Sequence, residues 1–155
     1  MIAQTARRAS GTRLIIETDG KILLTKEFRV ELNAYDVRLP GGKVFDSLDE
    51  YAKALESGID LTPMIESAAR KEALEEAGVR SGNFTWLGKS VCGQTVEWDL
   101  HFFAVTDADI AGQQLEAHED IETLLVTKAG AEDMCLDGTI SEERSALQLL
   151  RYLRR

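Results

Sequence analysis

The 155-residue chain carries 18 Lys and Arg against 27 Asp and Glu, for a formal net charge of −9, with 44% hydrophobic and 29% charged residues. Such a composition is that of a soluble globular protein, and the length suits one domain, 1–155, able to bury a single core. The acidic balance argues against non-specific nucleic-acid binding, which needs a basic face, and no apolar run approaches the roughly eighteen residues that would mark a membrane span.

The start, MIAQTARRASG, lacks an apolar signal-like region, so a cytoplasmic location is expected. Thr12 to Lys26 reads as a β-hairpin: TRLIIET and KILLTK are apolar and rich in β-branched residues, and Asp19-Gly20 between them is a two-residue turn signal. In EFRVELNAYDVRLPGGK, the residues Phe28, Val30, Val37 and Leu39 predict extended structure up to Pro40, and Gly41-Gly42 allows close backbone approach.

Leu48, Tyr51, Ala52 and Leu55 recur at helical spacing and Gly58 is a stop, which predicts a short amphipathic helix within an insert at 44–61. Thr62-Pro63 reads as an N-cap followed by a first-turn proline, opening a helix that runs to Ala77 with Gly78 just beyond it. Ile65, Ala69 and Ala73 are assigned to its core side and Glu72, Glu75 and Glu76 to its outer side. These three glutamates stand at i, i+3 and i+4, where like charges repel by a few tenths of a kcal/mol per pair. A hard divalent cation among them would reverse that repulsion. An acidic protein can bind phosphate esters when metal ions bridge the two sets of negative charge.

FTWLGKSV and VEWDLHFFAVT predict strands of a mixed sheet. A polar loop, Asp107 to Asp120, carries Glu116, His118 and Glu119, and IETLLVT is a further strand. Thr127 or Lys128 opens a short helix ending near Gly138, and Ser141 is a candidate cap for a last helix with Ala146, Leu147, Leu150 and Leu153 on one stripe. The economical arrangement is α+β, an α/β/α sandwich with the sheet between helices. Cys92 and Cys135 read as reduced, buried thiols, Trp86 and Trp98 as core residues, His101 as a strand histidine and His118 as solvent-facing.

LPGG followed by KEALEEAGV resembles the Nudix hydrolase signature, Gx5Ex7REUxEExGU with U a bulky apolar residue. The match falls on Glu72, Glu75, Glu76, Gly78 and Val79, with Ala73 at the first U. KEFRVELNAYDVRLPGG and HEDIE are similar to segments of ADP-ribose pyrophosphatases, and RKEALEEAG and LHFFAV to GDP-mannose hydrolysing relatives. The resemblance covers about Leu14 to Leu153 and implies a Nudix-like mixed sheet packed between helices.

It also implies Mg²⁺, with Mn²⁺ as a substitute, held by Glu72, Glu75, Glu76, Glu119 and the Gly41 carbonyl. Hydrolysis of the pyrophosphate bond of ADP-ribose or a nucleotide sugar would release a nucleoside monophosphate and a sugar phosphate. The resemblance gives Glu75, Glu119 and Glu116 as catalytic candidates and Arg29 as a phosphate or ribose contact, while Trp98 is a stacking candidate. A homodimer is also implied. Two departures stand out. The insert separates Gly42 from the rest of the signature, leaving Glu56 and Asp60 as alternatives for its first Glu, and Lys71 replaces Arg. Ala117 stands where those pyrophosphatases have a candidate base, leaving Glu116, Glu119 or a helix carboxylate for that role. A nucleotide-binding domain with weakened catalysis and a nucleoside triphosphate pyrophosphohydrolase are the alternative readings.

Overall fold

The computed structural model describes residues 4–117 and 119–155; the expectation for His118 lies outside them. Its elements, in chain order, are β1 (Ala6–Arg7), β2 (Gly11–Thr18), β3 (Lys21–Arg29), β4 (Ala34–Arg38), α1 (Leu48–Ser57), α2 (Thr62–Ala77), β5 (Val79–Ser90), β6 (Val96–Glu97), β7 (Leu100–Ile110), β8 (Ile121–Thr127), α3 (Lys128–Leu136) and α4 (Glu143–Leu153).

The Asp19-Gly20 turn joins β2 and β3, both residues having positive φ. A second hairpin, between β3 and β4, turns through Val30 to Asn33, where Asn33 takes the left-handed conformation. The sequence pattern had suggested one extended run there. β2 pairs in parallel with β7, which pairs antiparallel with β5, and β8 runs antiparallel along the other edge of β3. The result is a mixed six-stranded sheet, with a separate parallel ladder between β1 and β6.

Alternation along β2 divides the core, since successive strand side chains point to opposite faces. Leu14 and Ile16 pack with Leu23, Phe103 and Val105 beneath Ile65, Ala69, Ala73 and Ala77 of α2. Small alanines let the helix sit close to the sheet. Ile15 points the other way, with Ile22, Leu24 and Phe102, toward Ala131 of α3 and Ala146 and Leu149 of α4. The α/β/α sandwich expected from the sequence is thus the observed architecture.

Local expectations need several corrections. The cap position of α2 is Leu61, with Thr62 and Pro63 already inside the first turn, and Asp60 accepts the Thr62 N–H at 2.9 Å. α4 is preceded by Glu142, while the Ser141 hydroxyl donates to Asp36 instead of capping the helix. On α1, capped by Ser47 as its side chain accepts from Glu50 N–H, the buried face is Tyr51 and Ala54, and Leu48 and Leu55 are exposed. Tyr51 and Ala54 pack with Phe45 and Ala9 in a small separate cluster. Cys92 is exposed and Cys135 half-buried, both free thiols. Trp86 is 58% exposed because its side of β5 is only partly covered by α2.

Candidate functional site

Two backbone devices place the glutamates of α2. The first is the segment from Pro40 to Val44, which lies along the first half of β2: Leu14 N–H donates to Pro40 O, Thr12 N–H to Gly42 O and Val44 N–H to Ser10 O. Gly41 and Gly42 are brought directly onto the helix. A β-carbon on Gly41, whose φ is positive, would overlap the Thr12 carbonyl, so only glycine fits there; one on Gly42 would overlap the Glu72 carboxylate and force that side chain to move. Gly41 N–H donates to Glu76 Oε2 at 2.9 Å.

The second device ties the loop after β7 to the end of α2. Gly78 ends the helix in the left-handed conformation, with its N–H donating to Ala73 and Leu74 carbonyls. Ala111 N–H then donates to Gly78 O, Gln114 N–H to Glu75 O, and Gln113 Nε2 to both Glu76 O and Ile121 O. This clamp carries Glu116 and Glu119 to the helix, where Glu116 N–H donates to Glu119 Oε2 at 2.9 Å.

The carboxylates meet in a cleft of about 450 Å³. Glu72, Glu76, Glu116, Glu119 and Asp46 form its acidic side, with Gly41 and Gly42 between them and β2. Contrary to the outward placement expected, Glu72 and Glu76 are half-buried and line this cleft. Burial pushes Glu72 up to about 7, helped by the Glu75 charge, opposed by Lys71 and raised further by Glu119. Glu76 also rises to about 7, chiefly through burial; the Gly41 N–H opposes the shift and Glu72 and Glu119 add to it. Glu75 lies outside the cleft lining and pairs with Lys71 at 3.7 Å. Glu56 and Asp60 are exposed and do not line the cleft, whereas Asp46 of the insert does.

The opposite side is cationic, with Arg8, Arg13, Arg29 and Arg38 around Trp98. Arg13 is held by Glu142 through two 2.9 Å hydrogen bonds, Arg38 by Asp36, and Arg29 pairs with Glu27 at 2.9 Å. Burial raises the Glu142 pKa, but hydrogen bonds and charge from Arg13 outweigh it and hold the carboxyl below its ordinary range. Trp98 packs partly into the core beside α4, with guanidinium carbons of Arg8 and Arg144 at 4.2 and 5.2 Å from its ring centroid. Arg29 and Trp98 were legible in the sequence; Arg8, Arg13, Arg38 and Asp46 were not. His101 is half-buried on β7 beside Trp86, outside the cleft, and burial lowers its pKa.

Among the described residues, no three His, Cys, Asp or Glu side chains are grouped so as to hold a metal ion. The donor chemistry nevertheless fits a hard cation: Glu72, Glu76 and Glu119 offer oxygen to one cleft with backbone oxygen nearby, and burial disfavours the charged form of Glu72 and Glu76.

A mixed sheet between helices, with a glutamate-bearing helix docked on a Gly-Gly loop, is the Nudix fold, and solved structures agree. The chain superposes on a structure described as "Crystal structure of ADP compounds hydrolase" with a TM-score of 0.67 and 19% identity, covering 92% of this chain and 71% of that one. It also superposes on the solution structure of the E. coli ORF135 protein, with a TM-score of 0.55 and 18% identity over 83% and 79% of the two chains. No protein-family profile matches the sequence, and no curated protein matches it. Among the described residues no helix is long and apolar enough to cross a membrane.

Proposed function

We propose that the protein is a Mg²⁺-dependent hydrolase of the pyrophosphate bond in a nucleoside diphosphate joined to a second moiety, with ADP-ribose or a nucleotide sugar as substrate. The observation that carries this reading is that Glu72, Glu76 and Glu119 line one cleft whose other side is lined by arginines. Such a cleft offers a cation site and a diphosphate site facing each other. Glu72, Glu76 and the Gly41 carbonyl would hold the cation, with Mn²⁺ as a substitute. When bound, the cation supplies neutralisation of phosphate oxygens and a lowered pKa for the attacking water.

The chain's own residues do the rest. Glu119, fixed by the Glu116 N–H, accepts the proton of the attacking water. Arg29 and Arg38 orient the diphosphate, their forks already aligned by Glu27 and Asp36. Glu75, paired with Lys71, positions the helix face and adds negative charge beside Glu72. Products are a nucleoside monophosphate and a sugar phosphate. The reading extends to a cytoplasmic, single-domain homodimer, for which the exposed Phe28, Val30, Leu32 and Tyr35 at the β3–β4 turn offer an apolar contact.

Purified protein with Mg²⁺ should convert ADP-ribose or GDP-mannose to two monophosphates, and Glu76→Gln should abolish turnover while the fold is retained. Silence across a panel of nucleotide sugars and dinucleoside diphosphates, with Mg²⁺ and with Mn²⁺, sinks the proposal. A second reading, a nucleotide-binding domain that has lost turnover, is favoured by the ungrouped carboxylates and by Lys71 being engaged with Glu75. Ligand binding without hydrolysis would select it. Faster turnover of a nucleoside triphosphate would instead place the activity in a different substrate class.

A further inference from the structure

Beside the acidic side, the cleft holds side-chain donors that make neither a hydrogen bond nor an ion pair among the described residues. Ser10 is 1% exposed, lines the cleft, and its hydroxyl makes no hydrogen bond among the described residues. An unpaired buried hydroxyl costs about 1–3 kcal/mol, so its persistence in a native fold needs an explanation, of which a ligand is one.

Two cations share this part of the cleft. Lys43 is brought beside Ser10 by the bridge between Gly11 and Lys43 and by the Val44 N–H bond to Ser10 O. Arg8 is delivered by the β1–β6 ladder, in which Ala6 N–H donates to Thr95 O and Arg8 N–H to Glu97 O. Its guanidinium lies over Trp98. Whereas Arg13, Arg29 and Arg38 each have a carboxylate partner, neither Arg8 nor Lys43 makes an ion pair among the described residues. Two cations without an ion pair among the described residues and an unpartnered hydroxyl thus line one cleft and present several donors, which suits an anion with several oxygens.

We propose that Arg8, Ser10 and Lys43 form a phosphoryl-binding subsite, which takes the phosphoryl group on the half of the substrate that is not attacked. The assignment to a substrate phosphoryl rests on the hydrolase reading; the capacity to bind phosphate does not. Arg8 leaves the Trp98 ring when the anion is bound.

The test is a titration with inorganic phosphate in EDTA, read by fluorescence in a Trp86→Phe background where Trp98 is the remaining tryptophan, and by calorimetry. Saturable binding is expected, weakened about tenfold or more by Arg8→Gln and by Lys43→Gln, in line with the loss of a charge-assisted hydrogen bond. Ser10→Ala should also weaken binding while leaving the melting temperature equal or higher, since it removes an unpaired polar group. Glu76→Gln should bind phosphate at least as well as the parent. No saturable binding, or binding indifferent to all three substitutions, overturns the subsite. If phosphate binds as described and no substrate turns over, the subsite stands and the hydrolase reading falls; turnover without phosphate binding has the opposite meaning. With a substrate in hand, Arg8→Gln should raise KM about tenfold and leave kcat nearly unchanged.

Discussion

Gly42 and Glu72, far apart in sequence, meet so closely that a β-carbon on the glycine would overlap the glutamate's carboxylate. The loop and the helix therefore constrain each other. Gly42→Ala should displace the Glu72 side chain or the loop, at a stability cost of about 1–3 kcal/mol for the overpacking, and should remove most turnover. Denaturant melts and activity on the same sample check this; a variant with full activity would show that Glu72 is not needed where it lies.

The raised carboxyls give a pH signature. Burial pushes Glu72 and Glu76 up to about 7 in the folded protein, above the ordinary glutamate value of 4.5, so between these values the folded state binds more protons than the unfolded. Their contribution to the stability of metal-free protein is full below the unfolded value and is lost as pH rises through about 7. A bound cation needs both carboxylates ionised and so releases protons, and its stabilisation should grow over the same range. Melting curves in EDTA and in Mg²⁺ should diverge as pH rises from about 5 to about 8. Parallel curves would contradict a metal site on these residues, and Glu76→Gln should flatten the EDTA curve.

Glu142 and Arg13 have the opposite dependence. Glu142 is held below its usual pKa by Arg13, so its contribution is present above the unfolded value and is lost as pH falls through the folded one. Because Arg13 is buried, Glu142→Ala leaves its charge uncompensated and should destabilise by about 3–5 kcal/mol. Urea unfolding at pH 7 and under acidic conditions would test both statements. A cost near zero would mean that Arg13 finds water instead.

Gln113 should matter for rate more than for stability. Its amide holds the Glu76 and Ile121 carbonyls together and so fixes the loop that carries Glu119. Gln113→Ala is expected to lower kcat about tenfold or more, since misplacement of a catalytic group by about 1 Å can cost 100-fold. Unfolding should change by only about 1 kcal/mol, the net worth of a typical hydrogen bond. Unaltered kcat would release Glu119 from the catalytic assignment.

What the sequence revealed of this site was local periodicity. Ile65, Ala69 and Ala73 declare their helix face by spacing alone, and Asp19-Gly20 declares its turn. The arginine side has no such signature: Arg8, Arg13 and Arg38 come from separate segments and meet only because β1 pairs with β6 and β2 lies beside the Gly-Gly loop. A two-residue ladder has no hydrophobic pattern to read. Trp86 shows a different limit, since alternation marks the two faces of a strand but not how far a helix will cover one of them. The glutamates were assigned outward for a related reason: nothing in the pattern of α2 alone says that a loop will lie against its polar side.

The parallel pairing of β2 with β7 joins residues 11–16 to residues 100–105. Closing so long a loop is entropically costly and tends to come late in folding. On a ribosome, α2 and the Gly-Gly loop emerge long before β7 and the loop bearing Glu119 can join them. A nascent chain stopped before β7 would therefore leave one edge of β2 unpaired and the apolar side of α2 without Phe103 and Val105, and would depend on chaperones or rapid completion to avoid aggregation.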